Sequence, residues 1–88
     1  MKTLFERGFE RDLKKIKDKR LLKQVRKVIN QVEAAASISD VTNLKKIQGF
    51  DTYFRIRAGD YRIGIEFSEG QVIFVCFLNR KDIYRHFP

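Results

Sequence analysis

The stretch Tyr53-Phe-Arg-Ile-Arg-Ala-Gly-Asp-Tyr-Arg-Ile-Gly-Ile-Glu-Phe67 decides the fold. Apolar and polar residues alternate on either side of Gly59-Asp60, the pattern of a β-hairpin closed by a two-residue turn. Such a turn sets Ala58 opposite Tyr61, Arg57 opposite Arg62, Ile56 opposite Ile63, Arg55 opposite Gly64 and Phe54 opposite Ile65. Directly opposed residues share a sheet face. One face therefore carries Phe54, Ile56, Ala58, Tyr61, Ile63 and Ile65 and is expected to be core. The other carries Tyr53, Arg55, Arg57, Arg62 and Glu66. Like charges directly opposed destabilise a sheet, so a chain that keeps this arginine cluster is expected to use it to hold an anion.

Working outward, Gln71–Leu78 reads as a further strand, joined to Tyr61–Phe67 through a Glu69-Gly70 turn. A two-residue loop there pairs Phe67 with Val72 and Ile65 with Phe74. Continued alternation then sends Val72, Phe74, Cys76 and Leu78 to the core face, and Ile73, Val75 and Phe77 to the arginine face. Toward the N-terminus, Lys2 to Glu6 predicts a short strand, with Lys2 and Leu4 on one side and Thr3 and Phe5 on the other. Phe9, Leu13 and Ile16 recur at helical spacing. Asp18 can cap a second helix that carries Leu21, Leu22, Val25, Val28, Ile29 and Val32 on one stripe and ends near Ala36. Ser37–Asp51 is expected to be a connector pinned by Leu44 and Ile47. The result is an α+β domain over residues 1–88 in the order β-α-α-β-β-β. A helical hairpin packs on one face of a small antiparallel sheet, and the other face is left with an apolar strip beside its arginines.

At 88 residues the chain can bury one modest core. Nineteen Lys and Arg against eleven Asp and Glu give a formal net charge of +8, which favours polyanions, nucleic acid first. Cys76 is the single cysteine, in an apolar run, and reads as a buried structural thiol. With no CxxC or HxxxH pair, neither a metal nor a cofactor is expected. The first seven residues include Lys2, Glu6 and Arg7, which argues against a secretory signal. No apolar run approaches membrane-spanning length, so no membrane association is expected and the chain reads as cytoplasmic.

Arg80 follows the last strand and Tyr84 comes four residues later. Guanidinium groups match phosphate oxygens and stay charged. Gathered round one phosphate, they can stabilise the charge of a pentacoordinate transition state. RNA brings its own nucleophile, the 2′-OH, so an arginine cluster with a tyrosine suffices for transesterification without a metal. Binding phosphate without cleaving it remains the alternative. Lys14, Lys15, Lys17, Lys19, Arg20, Lys23, Arg26 and Lys27 form either a solvated helix face or a grip on a large RNA surface. His86, the sole histidine, is a further acid–base candidate. Glu66 is expected to pair with Arg55 if it pairs at all.

Phe9-Glu-Arg-Asp-Leu-Lys-Lys15, Leu44 to Gly49, Tyr53-x-Arg-Ile-Arg-x-Gly-Asp-Tyr-Arg-Ile63 and Asn79-Arg-Lys-Asp-Ile-Tyr84 together resemble the RelE/ParE superfamily of toxins from type II toxin–antitoxin systems. The resemblance spans nearly the whole chain in order. Its RelE branch implies an endoribonuclease, an mRNA interferase, acting on mRNA in the A site of the small ribosomal subunit and held in check by a cognate antitoxin. The resemblance assigns the catalytic roles to Arg55 and Arg57, Arg62, Arg80 and Tyr84. Lys14, Lys15, Lys19, Lys23, Lys27 and Lys81 are the candidates for contact with RNA and the ribosome. The ParE branch shares the fold but inhibits DNA gyrase, and a non-catalytic RNA-binding module is a third possibility. Many relatives carry His or Lys where this chain has Asn79. The chain also ends four residues past Tyr84, so no substantial C-terminal helix is expected.

Overall fold

A computed structural model describes residues 1–88. The elements run β1 (Lys2–Phe5), α1 (Arg7–Lys14), α2 (Lys19–Ala34), β2 (Leu44–Lys46), β3 (Tyr53–Ala58), β4 (Tyr61–Ser68), β5 (Gln71–Asn79) and α3 (Ile83–His86). The sheet has five strands in the order β1-β5-β4-β3-β2. Two features differ from expectation. The connector supplies a strand, β2, antiparallel to β3, and β1 joins β5 in parallel, so the sheet is mixed. The parallel edge follows from the crossover. The β3–β4 and β4–β5 hairpins make β5 parallel to β3, and the crossover through α1, α2 and β2 brings the chain back so that both run with β1.

The β3–β4 register is the one the sequence dictates, from Tyr53 opposite Glu66 to Ala58 opposite Tyr61. Gly59 at φ 62° opens that turn, where a side chain would be strained. On the helix side, Phe9, Val25, Val32, Ile56, Ile63, Ile65, Val72 and Phe74 form the body of the core. Asp18 caps α2 as its position requires, its carboxylate accepting from the Arg20 and Leu21 N–H groups at 2.9 and 3.4 Å. At the other end of α2, the Met1 ammonium donates to the Val32, Glu33 and Ala35 carbonyls at 3.3, 2.8 and 3.0 Å. A cation there complements the negative end of the helix dipole. Thr3 and Phe5 do face the helices: Thr3 donates to Glu33, and Phe5 sets its ring edge-on to Phe74.

The second hairpin departs from simple alternation. Phe67 pairs with Val72 and Ile65 with Phe74 as expected, but Gly64 then pairs with Cys76 across a bulge. One extra residue on β5 reverses every side chain beyond it. Phe77 therefore turns into the helix-side core, where Tyr61 stacks on it at 4.9 Å. Cys76 and Leu78 turn to the arginine side. This corrects the assignment of all three. The bulge is held from across the core: buried Asp12, on α1, accepts the Phe77 N–H at 3.0 Å through Oδ2. A donor displaced from the ladder is thus satisfied by a carboxylate 65 residues away.

Candidate functional site

The apolar strip on the arginine side is covered by the chain itself. Past β5, a turn at Asn79–Asp82 leads into α3, a single helical turn. Ile83 and Phe87 pack with Ile47 and Cys76 into a second buried cluster, flanked by Tyr53, Val75 and Leu78. Gly64 makes this possible. A Cβ there would lie 2.6 Å from Cys76 Sγ and 3.0 Å from the Phe87 ring. The tail therefore lies directly on the sheet, and its docking fixes where Tyr84 sits.

Around that cluster the structure gathers the residues singled out from sequence. Arg55 places its guanidinium carbon 5.5 Å from the centre of the Tyr84 ring. Arg62 donates through Nη1 to the Gly59 and Tyr61 carbonyls, both at 2.9 Å, which fixes its head while leaving its other N–H groups without a protein partner. Arg80 is tied to the same turn, because its backbone N–H donates to the Asp60 carbonyl at 2.8 Å. Burial first, then the charges of Arg55 and Arg57, hold the Arg62 guanidinium below its ordinary pKa; Arg80 adds to the effect and Tyr84 opposes it. The guanidinium nonetheless remains charged at neutral pH. Arg57 lies directly opposite Arg62 across the β3–β4 ladder, and Arg55 shares that face.

No carboxylate neutralises these arginines. The ion pairs of the molecule are Arg11–Asp12 and Lys46–Asp51, and Glu66 makes none. β2 adds to the positive field by setting Lys45 directly opposite Arg55. Lys45, Lys46, Phe50, Arg55, Tyr84 and Phe87 line a cavity of about 510 Å³. Lys45, Lys46 and Phe50 were not singled out from sequence, because a three-residue strand is too short for its alternation to show. A cavity lined by both cations and aromatic rings suits a nucleotide, whose phosphate and base call for those two kinds of group.

Other expected residues lie elsewhere. Lys14 and Lys15 share a shallow groove on α1 with Arg7 and Arg11, while Lys19 and Lys23 are exposed on α2. Lys27 lines a separate cavity with Arg57. Lys81 is exposed in the turn after β5, and exposed His86 lies outside the Tyr84 cavity. Cys76 is buried, and burial pushes its thiol pKa up to about 12, as expected of a structural cysteine.

Residues 4–84 match the family of the ParE toxin of the type II toxin–antitoxin system parDE. This chain belongs to the RelE/ParE superfamily of type II toxins. It is 40% identical to Toxin RelE3 of Methanocaldococcus jannaschii over 89 residues, covering all of both chains. The toxin in the RelB–RelE antitoxin–toxin complex of Methanococcus jannaschii superposes with a TM-score of 0.81 at 38% identity, over 97% of this chain and 99% of that one. YoeB of Staphylococcus aureus shares the fold, with a TM-score of 0.73 at 12% identity over 91% and 97% of the two chains.

Proposed function

We propose that this toxin is an mRNA interferase that cleaves RNA by transesterification at the Arg62 cluster. The observation that carries the proposal is the gathering of Arg55, Arg57 and Arg62 on one sheet face, with Arg80 tied to their turn, Tyr84 against Arg55 and no acidic partner. An unneutralised cluster of this kind gains most when a dianionic phosphorane forms among its donors. The RNA 2′-oxygen attacks the adjacent phosphorus as its proton leaves to a base. The P–O5′ bond breaks, the 5′-oxygen takes up a proton, and a 2′,3′-cyclic phosphate remains. Arg62 and Arg80 hold the phosphoryl oxygens. Arg55 steers the attacking hydroxyl. Tyr84, held against Arg55 and largely exposed, positions a base or relays a proton.

The partners proposed with this activity are mRNA in the ribosomal A site and a cognate antitoxin, and the site of action is the cytoplasm. The antitoxin is supported by the RelB partner of the Methanococcus jannaschii toxin. No helix is long and apolar enough to cross a membrane. Lys14, Lys15, Lys19, Lys23, Lys27 and Lys81, all exposed, are proposed to add to RNA and ribosome binding.

The test is to map mRNA cleavage on translating ribosomes with the wild-type chain and with Arg62→Ala. Loss of one transition-state donor costs roughly 3 kcal/mol, so cleavage should fall about a hundredfold or more while the variant stays folded. Cleavage should leave 2′,3′-cyclic or 3′-phosphate ends with 5′-hydroxyl partners. Products with 3′-hydroxyl and 5′-phosphate ends overturn the mechanism. The ParE description of the matching family keeps gyrase in view. Gyrase-dependent DNA breaks without mRNA cleavage would assign the chain to that activity instead.

A further inference from the structure

Arg57 looks two ways. It lies directly opposite Arg62 on the sheet, yet it also lines a second cavity, of about 440 Å³, between α2 and the segment leading into β2. Gln24, Lys27, Gln31 and Asn43 line that cavity with it. Two cations and three amides thus surround the space, with no acid among the lining residues. The walls are tied together. Gln31 and the Thr42 hydroxyl exchange hydrogen bonds at 3.0 and 3.3 Å, joining α2 to the segment before β2. The Arg57 N–H donates to the Asn43 carbonyl at 3.1 Å, joining that segment to β3. Asn43 turns the chain there, at φ 60°.

The spacing along β3 gives the cavity its meaning. Arg55 belongs to the Tyr84 cavity and Arg57 to this one. Two residues apart on a strand, they are separated by about 7 Å, close to one step of an extended single strand of RNA. The positive surface therefore continues past Arg62, round the edge of the sheet, to Lys27 on α2. Amides at its end carry both donors and acceptors, the equipment needed to meet a base edge.

We propose that this cavity is a subsite for a nucleotide of the cleaved RNA that flanks the scissile bond on the side away from Tyr84, its phosphate held between Arg57 and Lys27 and its base met by Gln24 and Asn43. The proposal rests on the RNA-cleaving reading and adds a direction to it: the strand runs from Tyr84, past Arg62, to α2.

The test uses the full chain and oligoribonucleotides blocked by a 2′-deoxy substitution at the attacking sugar, extended one nucleotide at a time in either direction. Affinity is measured by fluorescence anisotropy across a salt series. In the wild-type protein, extension in one direction should raise affinity about tenfold and steepen the salt slope by about 0.7, the value for one added single-strand phosphate contact. Lys27→Gln should abolish that gain, with less than about a twofold rise on the same extension and no steeper salt slope. Gln24→Ala should make the gain insensitive to which base is added. Lys2→Gln, which removes the same charge from the far edge of the sheet, should keep the gain. If Lys27→Gln keeps the gain too, or if extension gives none in the wild type, the subsite is wrong. If Lys27→Gln weakens binding to vacant ribosomes but keeps the oligonucleotide gain, the cavity serves ribosomal RNA and the proposal falls. If the wild-type chain binds no oligonucleotide and cuts no mRNA on ribosomes, the RNA reading fails first and carries this subsite with it.

Discussion

The two faces of the sheet are buried in different ways. On one, α1 and α2 lay down a continuous core of 11 buried residues, while on the other a one-turn helix and Phe87 close over a cluster of four. The first face has two helices to absorb any one lost contact. The second depends on a few residues at the end of the chain, and the arginines stand beside it. Low local stability next to a binding site is common, because elements that must rearrange are drawn from the weakly held end of a fold. The candidate site is therefore built on the sheet but completed by the tail. Arg55, Arg57 and Arg62 are fixed by strand register, whereas Tyr84 is fixed only while the tail stays docked.

Six substitutions at five positions test this difference between the faces. The largest effect on stability is expected from Phe77→Ala on the helix-covered face, about 3–5 kcal/mol by urea denaturation, as for other buried aromatic truncations. Phe87→Ala should cost less than about 2 kcal/mol globally, since the tail can undock without unfolding the sheet. It should nonetheless reduce the proposed RNA cleavage at least tenfold by freeing Tyr84. Equal stability losses for the two phenylalanines would show that the faces do not differ as described.

Gly64→Ala comes next, at about 1–3 kcal/mol for overpacking, because its methyl would press on Cys76 and Phe87. The same variant should expose Cys76 to alkylation, which the docked tail prevents. A variant as stable as the wild type, with Cys76 still protected, would show that the tail does not lie as tightly on β4 as the geometry has it.

Asp12 probes the link between the faces. Asp12→Leu should cost about 1–3 kcal/mol by leaving the Phe77 N–H buried and unpaired, while Asp12→Asn, which keeps an acceptor, should cost less than about half of that. Identical losses in the two variants would mean that the carboxylate charge, rather than its accepting oxygen, holds the bulge.

The smallest effect at neutral pH is that of Cys76, whose titration bears on stability only in alkali. Its thiol is raised from 9.0 to about 12 by burial. The unfolded chain therefore releases this proton first as pH rises. The contribution to stability is complete below pH 9 and is lost between 9 and about 12. Cys76→Ser should flatten the pH dependence of stability in that window, measured by urea denaturation at successive pH values. An unchanged slope would place the thiol in a less buried setting.

Local pattern was enough for the first hairpin. The turn at Gly59-Asp60 fixes the register, and register fixes faces, so the shared surface of Arg55, Arg57 and Arg62 could be read directly from residues 53–67. The cap at Asp18 and the apolar stripe of α2 are local in the same sense, involving partners two to four residues apart. The sequence by itself therefore determined the helical hairpin, the strand pairing that carries the arginines and the charge that invites an anion. Only the tertiary structure decided the rest. The bulge in β5 depends on a carboxylate from α1, and nothing near Phe77 announces it. β2 is too short to show a period and exists because β3 offers it an edge. The covering of the open face depends on Phe87 meeting a glycine whose missing side chain leaves room for the ring. Each of these is a contact between segments far apart in the chain, formed only once the strands and helices are already in place, and alternation along a single segment carries no record of it.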